Sequence, residues 1–313
     1  MRTDIDTIRI HVDTRKIKVN VDFIVSQLKD TKWGEFRNGH KYFTGKLENF
    51  TVIISQTIIK IFGSLSMFYH KNNIQSLQYL EMKGALDRLC QMLGFNIYLG
   101  KLVRVDVGAS LFTIYPVKNY LNLFQEDPQL KGYCRYRTTI LCKLENYSVQ
   151  FYDKIAQMLA NDRTIPLDFH HKYVLRYEVQ FTNHLQVQFH RRDLRVLHLL
   201  NTSFLNQLHE KWFHSFFNLY RRPKLRLVDT DLTPRKLADF SVLSNIETRC
   251  GIKIIYTTID DQFKKGILTK AQRQYKRHIL QKLYNSPDFL KPDSLYEELV
   301  EKIKNVFKAT WQS

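Results

Sequence analysis

Alternating apolar and polar side chains dominate the first two thirds of the chain and predict a β-rich structure. Successive side chains of a strand point to opposite faces of a sheet, so this alternation is typical of strands with one buried face. β-Branched and aromatic residues concentrate in five such segments, at 51–61, 62–70, 102–110, 138–154 and 173–181. Glu145 and Asn146 lie at the middle of the fourth segment and predict a turn that makes it a hairpin.

Apolar residues at helical spacing predict two helices in the same region. The first lies between the second and third strand segments, with Ser76 as its expected N-cap and Gly94 as its expected end. The second follows the last strand segment, and its apolar face is formed by Phe204, Leu205, Leu208, Trp212, Phe216 and Leu219.

Beyond residue 220 the helical period takes over. Thr233 followed by Pro234 predicts a helix start, Thr269 with Gln272 matches a capping box, and Asp293 is expected to begin the last helix. These patterns predict an α+β fold with two parts. An antiparallel sheet with packed helices is expected over residues 1–220, and a small helical domain over residues 221–313.

Three of the predicted strands carry polar side chains on one face only. The polar sets are Arg104 with Asp106, Gln150 with Tyr152 and Lys154, and Arg176 with Glu178 and Gln180. If these strands are neighbours over one core, Asp106, Tyr152 and Glu178 emerge together on the opposite face. Taken singly, each Arg–carboxylate pair is more often a solvated cross-strand ion pair than a functional site, and Tyr152 is one of 17 tyrosines.

The chemistry of this predicted face is that of phosphate esters. Carboxylate oxygens such as those of Asp106 and Glu178 suit Mg²⁺ or Mn²⁺, and a bound divalent ion polarises phosphoryl oxygens. A tyrosine oxygen can attack the phosphorus and remain attached to it. With Arg104, Lys154 and Arg176 around them, these residues are compatible with phosphate chemistry, but alternation alone does not name a reaction.

Composition adds a polyanionic partner to this picture. The formal net charge is +18 and the pI is about 9.6, and the basic excess is present in both predicted domains. Nucleic acid is the favoured partner because each neutralised phosphate releases a counterion, although a merely basic surface or an anionic membrane remains an alternative. The candidate DNA contacts are Arg104, Arg176, Arg135, Arg137, Lys276 and Arg277. The last two lie in a stretch without acids at 262–287, and a solvated helix is the alternative for them.

Several other classes of protein are disfavoured. The four cysteines form no CxxC pair, which argues against a zinc or disulfide framework. No apolar run approaches the ~20 residues that span a bilayer, and no secretion signal is visible, so a cytoplasmic protein without a membrane partner is expected. A phosphate-binding GxxxxGK[ST] loop is also missing from the sequence, so any helicase is expected to be a separate protein.

Four short motifs, in order along the chain, resemble the replication initiators of filamentous phages and small rolling-circle plasmids. The similarity begins in residues 62–73 and covers about residues 50–220. Val103-Arg104-Val105-Asp106 is similar to the family's R-[IV]-D strand, and Leu175-Arg176-Tyr177-Glu178-Val179 to its R-[FY]-E strand. Between them, Val149-Gln150-Phe151-Tyr152-Asp153-Lys154 resembles the apolar-Y-x-K segment that contains the nicking tyrosine.

The resemblance implies a role for each matching position. Tyr152 would be the nucleophile that becomes attached to the DNA 5′ end, and Asp106 and Glu178 would be metal ligands. Lys154 would stabilise the phosphate charge or lower the pKa of the tyrosine. None of the 11 histidines forms a His-apolar-His motif, which many nicking enzymes use to bind metal, and His170 and His171 are adjacent. The remaining metal ligand is therefore open, and the candidates are Gln150, Glu145 and His70.

The function that the resemblance implies is initiation of rolling-circle replication, on a fold related to the nicking endonucleases and relaxases. The protein would be an origin-specific, metal-dependent endonuclease and strand transferase that forms a 5′-phosphotyrosine. Its partner would be origin DNA, single-stranded or in a hairpin, and a homodimer is an open alternative. The other functions that fit are a non-enzymatic DNA-binding regulator, and a relaxase or transposase with the same chemistry.

Overall fold

The computed structural model of the chain describes residues 3–124, 130–219, 233–249, 251–284 and 294–311. Contacts divide it into two compact units, Met1–Leu219 with Leu299–Ser313, and Tyr220–Glu298. The first segment ends where the domain boundary was predicted. The last residues of the chain, predicted to lie in the helical domain, belong instead to the first unit.

A single antiparallel sheet forms the framework of the first unit. Its strands within the described residues are β1 (Asp4–Asp13), β2 (Lys29–Glu35), β3 (Lys41–Leu47), β4 (Phe50–Ile54), β5 (Ile58–Ser64), β6 (Lys101–Thr113), β7 (Gly132–Arg135), β8 (Thr139–Lys143), β9 (Tyr147–Asp153) and β10 (Tyr173–Phe181). The strand order is β2-β3-β4-β5-β1-β6-β10-β9-β8-β7. The prediction of an antiparallel sheet with packed helices is therefore confirmed.

Helices accompany the sheet and form the second unit. Those of the first segment are α1 (Val21–Gln27), α2 (Leu65–His70), α3 (Tyr79–Leu93), α4 (Val117–Leu121), α5 (Lys154–Leu159), α6 (Leu185–Gln188) and α7 (Thr202–Leu219). The second unit contains α8 (Pro234–Arg249), α9 (Gly251–Lys264) and α10 (Lys270–Tyr284), and the last helix is α11 (Ser294–Trp311). None of the described helices combines the length and apolarity that crossing a bilayer requires.

Aromatic packing on one face of the central strands forms the core. Phe151 of β9 stacks on Tyr177 of β10 with ring centroids 4.8 Å apart. Trp212 and Phe216 of α7 pack on Tyr177, whose hydroxyl donates to the Trp212 carbonyl at 2.8 Å. Burial of these large side chains supplies much of the hydrophobic stabilisation and directs the odd-numbered residues of β9 and β10 inward.

Most of the local predictions are confirmed. β6 and β10 cover the segments predicted at 102–110 and 173–181, and β8 and β9 form the predicted hairpin. Gly94 ends α3 with a left-handed φ of 72°, and Thr233 accepts from the Lys236 backbone N–H. The capping box at Thr269 and Gln272 is present in both directions. Asp293 lies outside the described residues.

Three local predictions were wrong. The segment at 51–61 is two strands, because residues 55–57 turn the chain between β4 and β5. The segment at 62–70 changes from strand to helix at Ser64, whose hydroxyl accepts from the Met67 N–H and caps α2. The N-cap of α3 is Gln78 rather than Ser76, and its backbone N–H donates to the Glu81 carboxylate at 2.8 Å. Strands β1, β2, β3 and β7 were not predicted.

Candidate functional site

The four central strands, β1, β6, β10 and β9, bring the predicted site residues together. The side chains of Asp106, Tyr152 and Glu178 lie on the sheet face opposite α7 and line one cavity of about 240 Å³. The convergence follows from the register, since Arg176 pairs with Tyr152 and Glu178 with Gln150 across β10 and β9. The cavity is further lined by Asp6, Thr7, Phe62, Ser64, Asn73, Arg104, Thr139, Gln150, Gln157 and Arg163.

A bulge in β1 adds a third carboxylate that the sequence analysis missed. Ile5 pairs with Val107 and Ile8 with Val105, so two residues of β1 lie opposite Asp106 alone. Such an extra residue changes the sheet face to which the following side chains of the strand point. Asp6 therefore lines the cavity, while Ile8 is buried in the core on the other face. Strict alternation would have placed Asp6 and Ile8 on the same face, which is why the pattern of β1 concealed this residue.

Asp106 is held in the cavity by Arg104. The guanidinium donates two hydrogen bonds to the carboxylate, at 2.8 and 2.6 Å, while the Asp106 side chain is 1% exposed. Burial raises the pKa of Asp106 to about 8, and the charges of Glu178 and Asp6 act in the same direction against the lowering effect of Arg104. Negative charge is therefore crowded at this point of the cavity.

Tyr152 faces Glu178. Its hydroxyl lies 3.4 Å from Glu178 Oε2, and Gln180 donates to Glu178 Oε1 at 3.0 Å. Burial raises the pKa of Tyr152 well above its usual range, and the Glu178 charge adds to the increase. The tyrosine is thus neutral in this environment, and its proton points at a carboxylate that can accept it.

Lys154 lies beside Tyr152, although on a helix rather than on the strand face where it was predicted. The chain leaves β9 at Asp153, whose side chain caps α5 by accepting from the Ala156 N–H at 3.0 Å. Lys154 is completely buried, its Nζ is 5.5 Å from the Tyr152 ring centroid, and it donates to Gln157 at 3.1 Å. Burial and the nearby Arg176 charge lower the pKa of Lys154 to about 8.

Arg176 does not occupy the position expected of a DNA contact. It is fully buried, and its guanidinium donates to Asp4 at 3.0 Å and to Ser110 at 3.4 Å. Its Nε is 3.9 Å from Glu178 Oε2. Arg176 therefore joins Asp4 of β1 to Glu178 of β10 across the intervening strand β6.

Two further residues of the cavity come from irregular segments. Arg163 follows α5, Asn73 follows α2, and the Arg163 guanidinium donates to the Asn73 side-chain oxygen at 3.3 Å. Both line the cavity, where Arg163 supplies a positive charge that was not predicted. No periodic signal marks a residue in a turn, so sequence patterning had no means of finding them.

The other predicted DNA contacts differ in their surroundings. Arg135 and Arg137 are exposed around the turn from β7 to β8, two to four residues from Thr139, which lines the cavity. In the second unit Lys276 is exposed, but Arg277 is paired with Asp260 at 2.7 Å. The guanidinium of Arg104 is hydrogen-bonded to Asp106, as described above.

The three further candidate metal ligands also differ in whether they line the cavity. Gln150 lines the cavity, whereas Glu145 pairs with Lys131 at 3.1 Å and His70 is 3.4 Å from Glu81. Neither Glu145 nor His70 is among the described residues that line the cavity. His170 and His171 lie before β10, and His170 contacts the Ile165 carbonyl, as expected of polar loop residues.

The donor set of the cavity suits a hard divalent cation. Asp6, Asp106 and Glu178 supply carboxylate oxygens, and Gln150 supplies an amide oxygen. Their present partners are protein groups, since Asp6 accepts from Ser64 at 2.5 Å and Asp106 from Arg104. As placed, no three acidic, His or Cys side chains of the described residues are close enough to ligate one ion. Binding would therefore require these side chains to turn from their partners towards the ion.

Comparison of the sequence with family models and with curated proteins gave no match.

Proposed function

We propose that this chain nicks and rejoins one strand of DNA and initiates rolling-circle replication, on a fold of the nicking-endonuclease type. One observation carries the proposal. A tyrosine, three carboxylates and the cations Arg104 and Arg163 line one cavity of about 240 Å³, with Lys154 buried beside the tyrosine. Metal-dependent transfer of a phosphodiester to a tyrosine needs this combination of nucleophile, metal ligands and phosphate-neutralising cations.

The chemistry assigned to the chain's own residues begins at Tyr152. Its oxygen forms a bond to the phosphorus of the scissile diester while the bond from phosphorus to the 3′ oxygen breaks. The phenolic proton passes to Glu178, whose Oε2 is 3.4 Å away, and the departing 3′ oxygen takes a proton from water. The strand then carries a free 3′ hydroxyl, and its other part is joined through its 5′ phosphate to Tyr152.

The remaining side chains stabilise charge. Arg163 lines the cavity, where it would neutralise a bound phosphate, and the buried Lys154 would add its charge from beside Tyr152. Asp6, Asp106 and Glu178 would hold Mg²⁺ or Mn²⁺. When bound, the ion would offset the repulsion between these carboxylates and polarise the phosphoryl oxygens.

Rejoining is the same step in reverse. A 3′ hydroxyl attacks the phosphotyrosine and restores the diester, so the energy of the broken bond is kept and no nucleotide cofactor is consumed. In this scheme the partner is origin DNA, and a separate helicase opens the duplex. A relaxase or a transposase would use the same chemistry, and the DNA that is cut separates these roles.

The test is covalent capture of DNA. The full chain is incubated with Mn²⁺ and a library of single-stranded oligonucleotides labelled at the 3′ end, and adducts are resolved on a denaturing gel. The wild type should carry the label on Tyr152, located by mass spectrometry of the tryptic peptide. Tyr152→Phe should reduce adduct formation by about 10³-fold or more, since the attacking oxygen is lost.

Tyr173→Phe is the matched control, because Tyr173 is an exposed tyrosine at the start of β10. It should form adducts as the wild type does. An undiminished adduct with Tyr152→Phe would remove Tyr152 from the role of nucleophile. If the wild type binds DNA tightly but forms no adduct with the library or with supercoiled origin DNA, a non-enzymatic DNA-binding regulator replaces the enzyme.

A further inference from the structure

The sheet face that carries the cavity continues along β5, β1 and β6 as a row of basic side chains. Arg9 of β1 pairs with Phe62 of β5 and with Arg104 of β6. Two residues further along β1, His11 pairs with Lys60 and with Lys101. Residues two apart on a strand share a face, so Arg9 and His11 both belong to the face of the cavity. On β6 a register shift after Arg104 brings Lys101 to the same face.

Positive charge is concentrated along these rows. Arg9 and Lys101 are exposed, and Lys60 is half-buried. Burial lowers the pKa of His11 to about 4, and the charges of Lys60, Arg9 and Lys101 add to the effect. Their influence on the histidine shows that these three cations act on one small region. Together with Arg104, which pairs with Arg9, they form what we call the basic strip (Arg9, Lys60, Lys101 and Arg104).

A second, larger cavity lies at the far end of the basic strip. It has a volume of about 730 Å³ and is lined by Phe36, Arg37, Asn38, His40, Lys41, Ser55, Gln56, Thr57, Ile58 and Lys60. Lys60 lines this cavity and Phe62 lines the first one, and the two are alternate residues of β5. The two cavities are therefore neighbours on one face, separated by about 7 Å of strand.

Aromatic rings accompany the cations. The guanidinium of Arg9 lies 4.8 Å from the Phe62 ring centroid, and Lys60 Nζ lies 5.0 Å from that of Phe36. Phe36 in turn contacts Tyr42, with ring centroids 4.5 Å apart. Rings and cations alternating along a groove are the arrangement that single-stranded nucleic acid needs, because bases stack on rings while phosphates meet the cations.

Basic and neutral side chains line the larger cavity. No aspartate or glutamate is among the described residues that line the larger cavity. Asp13, which follows at the end of β1, is paired with Arg15 at 2.8 Å. The larger cavity, Arg9 and Lys101 therefore present positive charge to a phosphate backbone, whereas Arg104 is paired with Asp106.

We propose that the basic strip and the larger cavity bind a single DNA strand that continues from the phosphate held at Tyr152. This inference rests on the proposed function for the identity of the first cavity. The occupant follows from charge complementarity and from the continuity of the two cavities. A strand that enters the first cavity meets the rings and cations of the second within about one nucleotide.

The test measures affinity for single strands without cleavage. The full-length protein, in EDTA, is titrated with fluorescent oligothymidylates of about 4 and about 12 nucleotides over a range of salt concentrations. The wild type should bind the longer strand more tightly. Lys60→Gln with Lys101→Gln should weaken binding of the longer strand by about ten-fold and reduce its log–log salt slope by about 1.4, since each phosphate contact contributes about 0.7.

The matched control replaces two exposed lysines on helices, Lys118 of α4 and Lys211 of α7, with glutamine. It should keep the wild-type slope. Lys60→Arg with Lys101→Arg should keep most of the affinity, which separates lost charge from damaged folding. An equal loss with the control pair, or an unchanged slope with the strip variant, would overturn the assignment.

The two proposals fail separately. If oligonucleotide binding depends on Lys60 and Lys101 but no adduct forms at Tyr152, the strip stands and the nicking function fails. If adducts form at Tyr152 and the strip variant binds the longer strand as the wild type does, only the strip is wrong.

Discussion

The protonation of the Asp106 carboxyl group is subject to opposing influences within the cavity. Arg104 donates two hydrogen bonds to it and favours its charged form. Burial and the charges of Glu178 and Asp6 favour its neutral form, and the balance raises its pKa to about 8. A side chain in this state gains much from a nearby divalent cation, because the cation removes the repulsion that opposes ionisation.

The first residue-scale prediction concerns Asp6. Asp6→Asn removes one of three carboxylates from the cavity and should reduce adduct formation by about 100-fold or more, as expected for a lost metal contact, while DNA binding in EDTA persists. Adduct yield is measured against Mn²⁺ concentration, and the curve should shift to higher Mn²⁺. Asp106→Asn and Glu178→Gln should show the same loss.

Asp13→Asn serves as the control, since this carboxylate belongs to the same strand but pairs with Arg15 at the strand's end. It should respond to Mn²⁺ as the wild type does. A wild-type Mn²⁺ curve for Asp6→Asn would exclude Asp6 from the ligand set.

At the scale of single elements, two irregularities of the central strands build the site. The bulge of β1 turns Asp6 towards the cavity. Gly108 of β6 leaves the space over which Arg176 crosses from β10 to Asp4, since an added Cβ would lie 2.5 Å from Arg176 Nη2. The residue is a glycine because of this close approach, and its backbone conformation is that of an ordinary strand.

The second prediction follows from this crossing. Gly108→Ala should lower the free energy of unfolding by about 1–3 kcal/mol, because the buried guanidinium must shift and its bond to Asp4 must lengthen. It should also reduce adduct formation, since Arg176 lies beside Glu178. Urea unfolding followed by tryptophan fluorescence measures the change, because all three tryptophans belong to the first unit.

Gly132→Ala is the corresponding control in β7, where the nearest atom to an added Cβ is 3.6 Å away. It should leave stability within about 0.5 kcal/mol of the wild type. Equal stability of the two alanine variants would mean that Arg176 is not confined as described.

The strand predicted at 62–70 was wrong because of a single helix cap. Residues 62–70 have strand-forming composition throughout, yet the chain becomes helical after Ser64. One hydrogen bond from the Met67 N–H to the Ser64 hydroxyl satisfies the start of α2, and Lys71 ends it with a φ of 60°. A prediction from the frequency of β-branched and aromatic residues does not take such a single capping hydrogen bond into account.

At the scale of the whole first unit, one cluster ties together the two ends of the chain. The hydroxyl of Thr3, next to β1, lies 2.7 Å from His209 Nδ1 of α7 and 3.1 Å from the Thr310 hydroxyl of α11. Phe213 of α7 stacks on Phe307 of α11 with centroids 4.3 Å apart. These contacts explain why the last residues of the chain belong to the first unit and not to the second.

The third prediction is a pH dependence of this cluster. Burial lowers the pKa of His209 from 6.5 to about 4. Between these values the unfolded chain binds more protons at this residue than the folded one. The free energy of unfolding should therefore fall as the pH is lowered through this window, by about 3 kcal/mol at most from His209.

His209→Gln keeps a hydrogen-bonding side chain without a titration in this range. The stability difference between wild type and His209→Gln, measured by urea unfolding from pH 7 to pH 4, should shift in favour of the variant as the pH falls. Other titrating groups, such as His11 and Asp106, are common to both proteins and cancel in the difference. Parallel pH curves would show that His209 is not buried in the neutral form.

Alternation along the chain was sufficient to place Asp106, Tyr152 and Glu178 on strand faces that could converge. Alternation also indicated the sheet, helical spacing indicated the principal helices, and composition indicated the basic charge. These features are local, because the facing of a side chain follows from its own backbone and from the apolar residues beside it. Residues 102–110 and 173–181 therefore needed no knowledge of the fold to be assigned.

Only the tertiary structure decided which side chains share the cavity. Asp6 lines the cavity because of a bulge in the pairing of β1 with β6, and Arg163 reaches it from a turn. Arg176 lies in the interior, hydrogen-bonded to Asp4, a residue 172 positions earlier. These relations depend on strand order and register, which the packing of the whole core determines. Local sequence patterns do not determine strand order or register. The position of Asp6 in the cavity and the burial of Arg176 therefore could not be predicted from them.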